Sequence, residues 1–146
     1  MGLIDFILDA GTSLFSGGEP TAEEKAEKLK ETVNNFGLGA SGLSVVVDGV
    51  KAILSGEVSS QEEKEKLIVA IGNTEGIGQV EDNFTVASPE PEAVYYTVQK
   101  GDTLSAISKA QYGDANKYQA IFEANKPMLE HPDKIYPGQV LRIPPQ

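Results

Sequence analysis

The side chains that usually do chemistry are scarce in this chain of 146 residues. Histidine occurs once, at His131 in the Pro-bounded stretch Glu130-His-Pro132, and cysteine does not occur. A Ser-His or Cys-His triad needs a base held against a nucleophile, and common zinc sites need several His or Cys ligands, so both classes are poorly supplied. Carboxylates are plentiful, with 22 acidic against 12 basic residues, but no pair stands in a context that suggests glycosidase work. Neither a P-loop nor a dinucleotide fingerprint occurs. No nucleophile–base set assembles, so the chain is not expected to be an enzyme. The backbone is the remaining source of chemistry. The calcium EF-hand pattern is absent, but a weakly hydrated monovalent cation takes neutral carbonyl oxygens instead. Helix C-termini supply these, because their last four C=O groups lack intrahelical partners and carry the negative end of the dipole. Two glycine-marked helix ends could present them, Ile7 to Gly11 and Ile71-Gly-Asn-Thr-Glu-Gly-Ile77. On residue types alone, both read first as ordinary helix caps.

The bulk numbers narrow the partners. A net charge of -10 opposes binding to nucleic acid and to anionic membrane surfaces. No run is long enough to span a bilayer as a helix. The N-terminus is apolar, yet it has no basic n-region, and Asp5 and Asp9 interrupt what would be the apolar core of a signal peptide. A cytoplasmic location is therefore expected.

Periodicity outlines the elements that would position such oxygens. Apolar residues at Leu3, Phe6, Ile7, Ala10 and Leu14 have helical spacing and predict a docking helix from Leu3 to Phe15. Ser16 to Pro20 reads as a connection. Thr21-Ala-Glu-Glu24 is a capping box that opens a helix to about Phe36, burying Ala22, Ala26, Leu29 and Val33. Leu43–Val47 and Val50–Leu54 flank Asp48-Gly49, a type I′ hairpin signal. A cap at Ser59 or Ser60 opens a helix with Leu67, Ile68 and Ile71 inward, ending at Gly72. A strand follows from Gln79 to Ala87. Ser88-Pro-Glu-Pro-Glu92 reads as an extended linker. Beyond it, a strand at Tyr95 to Val98 leads to a cap at Asp102 or Thr103 and a helix through Ala110. A second helix covers about Ala115 to Asn125, and Val140–Ile143 is the returning strand.

Three resemblances follow from particular residues. Tyr96-Thr-Val-Gln-Lys-Gly-Asp-Thr-Leu-Ser-Ala-Ile-Ser108, closed by Ile135-Tyr-Pro-Gly-Gln-Val-Leu-Arg-Ile-Pro144, resembles a LysM domain, a module known for holding N-acetylglucosamine glycans such as peptidoglycan. The α-β-β-α-β order from Thr21, with Gly56, Val58, Gly76, Ile77 and Val80, is similar to a BON domain. The whole chain, with its Met-Gly-Leu start and with Glu63-Lys-Glu-Lys-Leu-Ile-Val-Ala70 and Ile121-Phe-Glu-Ala-Asn-Lys-Pro-Met-Leu129, resembles the bacterial potassium binding protein (Kbp) family. That resemblance implies a cytoplasmic potassium sensor, linked to stress response, whose BON and LysM domains come together when the ion binds.

The expected fold is α+β. An N-terminal helix and connection occupy 1–20, a BON domain (α-β-β-α-β) 21–87, a linker 88–93 and a LysM domain (β-α-α-β) 94–146. The resemblance implies one K+ ion, without an organic cofactor, held by main-chain carbonyls of Ile7, Ala10, Gly72, Thr74 and Ile77. A Gly72→Val change should weaken ion binding if Gly72 takes positive φ. The alternative is a peptidoglycan-binding module of the cell envelope, with a groove between Gly101, Asp102, Thr103 and Leu104 on one side and Ile135, Tyr136, Pro137 and Gly138 on the other. A scaffold whose LysM domain binds a protein partner is a third class. The expected oligomeric state is a monomer.

Overall fold

The computed structural model describes residues 2–6, 21–74 and 77–145. Strand β1 (Gly2–Asp5), helix α1 (Ala22–Asn35), strands β2 (Ser41–Asp48) and β3 (Lys51–Val58), helix α2 (Gln61–Gly72) and strand β4 (Gln79–Val86) form the first part. Strand β5 (Val94–Thr97), helix α3 (Leu104–Tyr112), a 3-10 turn (Ala115–Lys117), helix α4 (Tyr118–Ala124) and strand β6 (Val140–Ile143) form the second. Both expected element orders are present, and the fold is α+β.

The capping box at Thr21 forms as its sequence requires: the Thr21 hydroxyl accepts from the Glu24 N–H and the Glu24 carboxylate accepts from the Thr21 N–H. At the other end Gly37 takes φ 74°. There the Leu38 N–H reaches back to the Val33 carbonyl at 2.9 Å, turning Leu38 into the core. Ser60 caps α2 through Glu63, and Thr103, the second of the two candidates, caps α3 through Ala106.

The first sheet has the order β1-β4-β3-β2. Strands β3 and β4 run parallel, joined by α2, and the outer pairs are antiparallel. Ile4, Val80, Ala52 and Val47 form one row across it, facing the helices. The next row, Leu3, Glu81, Ile53 and Val46, points away, leaving Leu3 and Val46 exposed. Strand β2 is an edge strand, and its register shifts between Ser41 and Ser44, where Gly56 opposite takes φ 140°.

Two sequence expectations are corrected. Residues 2–5 form a strand, not the start of a helix, because the open edge of β4 offers them a ladder (Leu3 opposite Glu81, Ile4 opposite Val80). The alternation exposed Leu3, part-buried Ile4, exposed Asp5, buried Phe6 then satisfies period two. The rest of the expected helix, to Phe15, lies outside the described residues. The hairpin turn is also shifted by one position. Asp48 pairs with Lys51, so the loop is Gly49-Val50, and Gly49 alone has positive φ, at 63°. That is the pattern of a II′ turn, with glycine at its first central position.

The second sheet pairs β5 with β6, Thr97 opposite Val140 and Tyr95 opposite Arg142. Val98, Leu104, Ile107, Ile121, Leu129, Leu141 and Ile143 fill its core. Val140, however, belongs to the first core together with Ile68 and Ile71, and Tyr95 and Met128 pack against that core. Strand β6 thus lies on α2.

Candidate metal centre

Helix α2 is buried around most of its circumference, with Leu67, Ile68, Val69, Ala70, Ile71 and Gly72 all inside. Its end is therefore held in place by packing. Each fully buried Leu or Ile contributes about 1.5–3 kcal/mol of transfer free energy. After Gly72 the chain turns sharply. The Asn73 N–H bonds the Ile71 and Val69 carbonyls, the Thr74 N–H bonds the Ile71 carbonyl at 3.2 Å, and the Ile77 N–H bonds the Thr74 carbonyl at 3.1 Å. The Thr74 hydroxyl donates to the Ala70 carbonyl. Thr74 and Ile77 are each only 2% exposed.

Three of the five expected ligand residues, Gly72, Thr74 and Ile77, thus lie together at one buried helix end. Ile7 and Ala10 lie outside the described residues. Phe6, directly before Ile7, is fixed at this end: its N–H donates to the Gly78 carbonyl at 2.9 Å, and its ring covers Gly72. A Cβ placed on Gly72 would overlap that ring. The need for glycine is therefore one of space. Gly72 is the last residue of the helix and is not among the positive-φ glycines, which corrects the condition of positive φ. Among the described residues no group of three His, Cys, Asp or Glu side chains could hold a metal ion.

The two loops expected to flank a glycan are placed differently from each other. Gly101 (φ 90°) and Asp102 form a tight turn in which the Asp102 carboxylate accepts from the Tyr96 hydroxyl at 2.6 Å and from the Gln99 N–H at 2.8 Å. These bonds, led by the one from Tyr96, hold the Asp102 carboxyl below its ordinary value, and the bond to Asp102 pushes the Tyr96 phenol up. Thr103 and Leu104 line a shallow depression of about 430 Å³ with Ser105, Tyr118 and His131 to Asp133. Of the other loop, Ile135 packs on the second core, Pro137 is exposed, and the Gly138 N–H bonds the Val98 carbonyl. Tyr136 turns the opposite way. It lines a cleft of about 100 Å³ with Phe36, Asn73, Thr74 and Met128, between the two parts of the chain. Burial there pushes its phenol up.

The residues that sequence reasoning missed join the two parts. Glu65 is 1% and Arg142 5% exposed. Arg142 Nε and Nη2 donate to Glu65 Oε1 at 3.0 and 2.6 Å, and Arg142 Nη1 donates to the Ala124 carbonyl. Glu65 Oε2 accepts from Gln61 and from the Ala93 N–H. Tyr95 lies beside this pair, and burial, then the Glu65 charge, raises its phenol. Asn73 is the second tie: its side chain donates to the Val140 carbonyl and accepts from the Val140 N–H, both at 2.8 Å. A charged Arg within the apolar strand Val140-Leu-Arg-Ile143 was the available signal. Glu65, inside the run Glu62-Glu-Lys-Glu-Lys66, gave none.

Comparison with known proteins matches the BON domain family to residues 21–88 and the LysM domain family to residues 96–144. The chain is 50% identical over 147 residues to "Potassium binding protein Kbp" of Escherichia coli O6:H1, covering 99% of both chains. It is 31% identical over 137 residues to an uncharacterized protein of Deinococcus radiodurans, covering 86% of this chain and 53% of the other. It is also 40% identical over 58 residues to the uncharacterized protein YqbP of Bacillus subtilis, covering 34% of this chain and 26% of that one.

Proposed function

The chain belongs to the family of the potassium binding protein Kbp, and from that premise we propose that it binds one potassium ion through main-chain oxygens at the end of α2. The observation that carries this reading is the 50% identity over 99% of both chains to a protein named for potassium binding. The local chemistry fits. Gly72, Thr74 and Ile77 offer neutral oxygens at the negative end of a helix dipole, in a buried place where the packing of Phe6 and α2 resists rearrangement. Ile7 and Ala10 complete the proposed set, and the anchoring of Phe6 beside Gly72 supports including them. Carbonyls held at a spacing suited to potassium disfavour the smaller, more strongly hydrated sodium.

In this reading the protein is a cytoplasmic sensor. The ion binds the form in which the BON and LysM parts are docked better than the open form, and so shifts the population towards compaction. Calorimetric titration of the purified chain with KCl and NaCl, with scattering at each end point, tests it. Heat and a smaller radius of gyration with potassium are expected. Neither response with potassium would refute the proposal.

A second reading is kept by one observation: the depression formed by Thr103, Leu104 and His131 to Asp133 is separate from the cleft between the two parts. It could take an N-acetylglucosamine glycan such as peptidoglycan while the parts stay docked. Co-sedimentation with purified peptidoglycan distinguishes this reading, and cell fractionation tests the location.

A further inference from the structure

The LysM part is tied to α2 by polar groups at two places of different character. At the helix start the contact is ionic, Glu65 with Arg142. At the helix end it is a neutral clamp: the Asn73 side chain takes both the N–H and the carbonyl of Val140, each at 2.8 Å, the way a neighbouring strand would. Asn73 stands between Gly72 and Thr74, two of the proposed ligand residues. Its own N–H is bonded to the Ile71 and Val69 carbonyls. Its backbone is therefore fixed by α2 on one side and its side chain by β6 on the other.

Resting on the potassium reading above, we infer that Asn73 is a positioning residue through which strand β6 sets the orientation of the Gly72 and Thr74 carbonyls. The LysM part then belongs to the ion site, although it supplies no oxygen to the ion. The two ends of α2 divide the work. The Glu65–Arg142 pair decides how often the parts are docked, and Asn73 decides what shape the helix end has when they are.

The division has a measurable signature. A change that only lowers the docked fraction multiplies the apparent dissociation constants of all cations by one factor, because each is divided by the same competent population. A change that loosens the carbonyl orientation weakens potassium more than sodium, since size discrimination depends on the spacing of the oxygens. The full chain with Asn73→Ala, and Asn73→Ser in case the alanine form does not fold, is titrated with KCl and with NaCl beside the unchanged protein and Arg142→Met. Circular dichroism establishes that each is folded. For Asn73→Ala we expect potassium affinity to fall about tenfold, the scale of two lost hydrogen bonds, with a lower potassium-to-sodium ratio. For Arg142→Met we expect weaker binding at an unchanged ratio. Unchanged potassium affinity in a folded Asn73 variant overturns the inference and leaves the potassium reading standing. So does an equal loss for both ions. Absence of potassium binding by the unchanged protein overturns the potassium reading itself.

Discussion

Replacing Arg142 by alanine isolates the cost of the buried tie between the two parts. The guanidinium donates to Glu65 through Nε and Nη2, and to the Ala124 carbonyl through Nη1. Without it the Glu65 carboxylate, 1% exposed in the unchanged protein, keeps two neutral donors, Gln61 Nε2 and the Ala93 N–H, and has no counter-charge. Removing one partner of a buried pair costs about 3–5 kcal/mol, most of it the uncompensated charge left behind. For a chain of this size each kcal/mol lowers Tm by about 2–4 °C, so a fall on the order of 10 °C is expected. Urea unfolding of the unchanged protein, Arg142→Ala, Glu65→Leu and the double variant Glu65→Leu/Arg142→Leu measures it. The double variant should lose far less than either single one, because no charge is stranded. A loss under about 1 kcal/mol for Arg142→Ala, the range of a solvent-exposed pair, would refute the reasoning. So would a double variant as unstable as the sum of the singles.

Gly72→Ala places a methyl group where the Phe6 ring lies. We expect destabilisation of about 1–3 kcal/mol, the scale of an overpacked core, with weaker potassium binding by titration. In a Phe6→Ala background the same change should be nearly neutral, and an equal penalty in both backgrounds would count against the steric account. The Asp102 carboxyl is held below its ordinary 3.8 by the Tyr96 hydroxyl and the Gln99 N–H. Its contribution to stability is present above that value and is lost as pH falls from there through the folded value. Tyr96→Phe should move the Asp102 carboxyl upward in a carbon-detected NMR titration and flatten the acid limb of the stability curve.

The parts of the fold legible in the sequence were those set by neighbours along the chain. The capping box at Thr21, the cap at Ser60 and the inward stripe Leu67, Ile68, Ile71 each depend on residues within two turns. Long-range partners were not legible. Leu3 to Phe6 satisfies a helical period and an alternating one equally, and the free edge of β4, more than 70 residues away, decides between them. The hairpin was recognised, but its register was not, since the pairing of Asp48 with Lys51 rather than the Asp-Gly dipeptide alone places the turn. The end of α2 was found by its glycines, but the reason for Gly72 is an aromatic ring, Phe6, that lies 66 positions earlier in the chain. Glu65 looked like one more solvated carboxylate because the charge it meets, Arg142, is 77 positions away.

Among the described residues the first sheet has no strand beyond β1 or β2, and an open side is a template on which another chain can polymerise. Here β1 offers only four residues, too short a run for lasting addition. Along β2 the register shift between Ser41 and Ser44 twists the strand away from a straight path. An extended segment could follow Val45 to Asp48 but would lose step before Ser41. The exposed Val46 therefore sits on a strand whose irregular edge works against fibrous self-association, and residues that look like slack in the hairpin are what make that edge irregular.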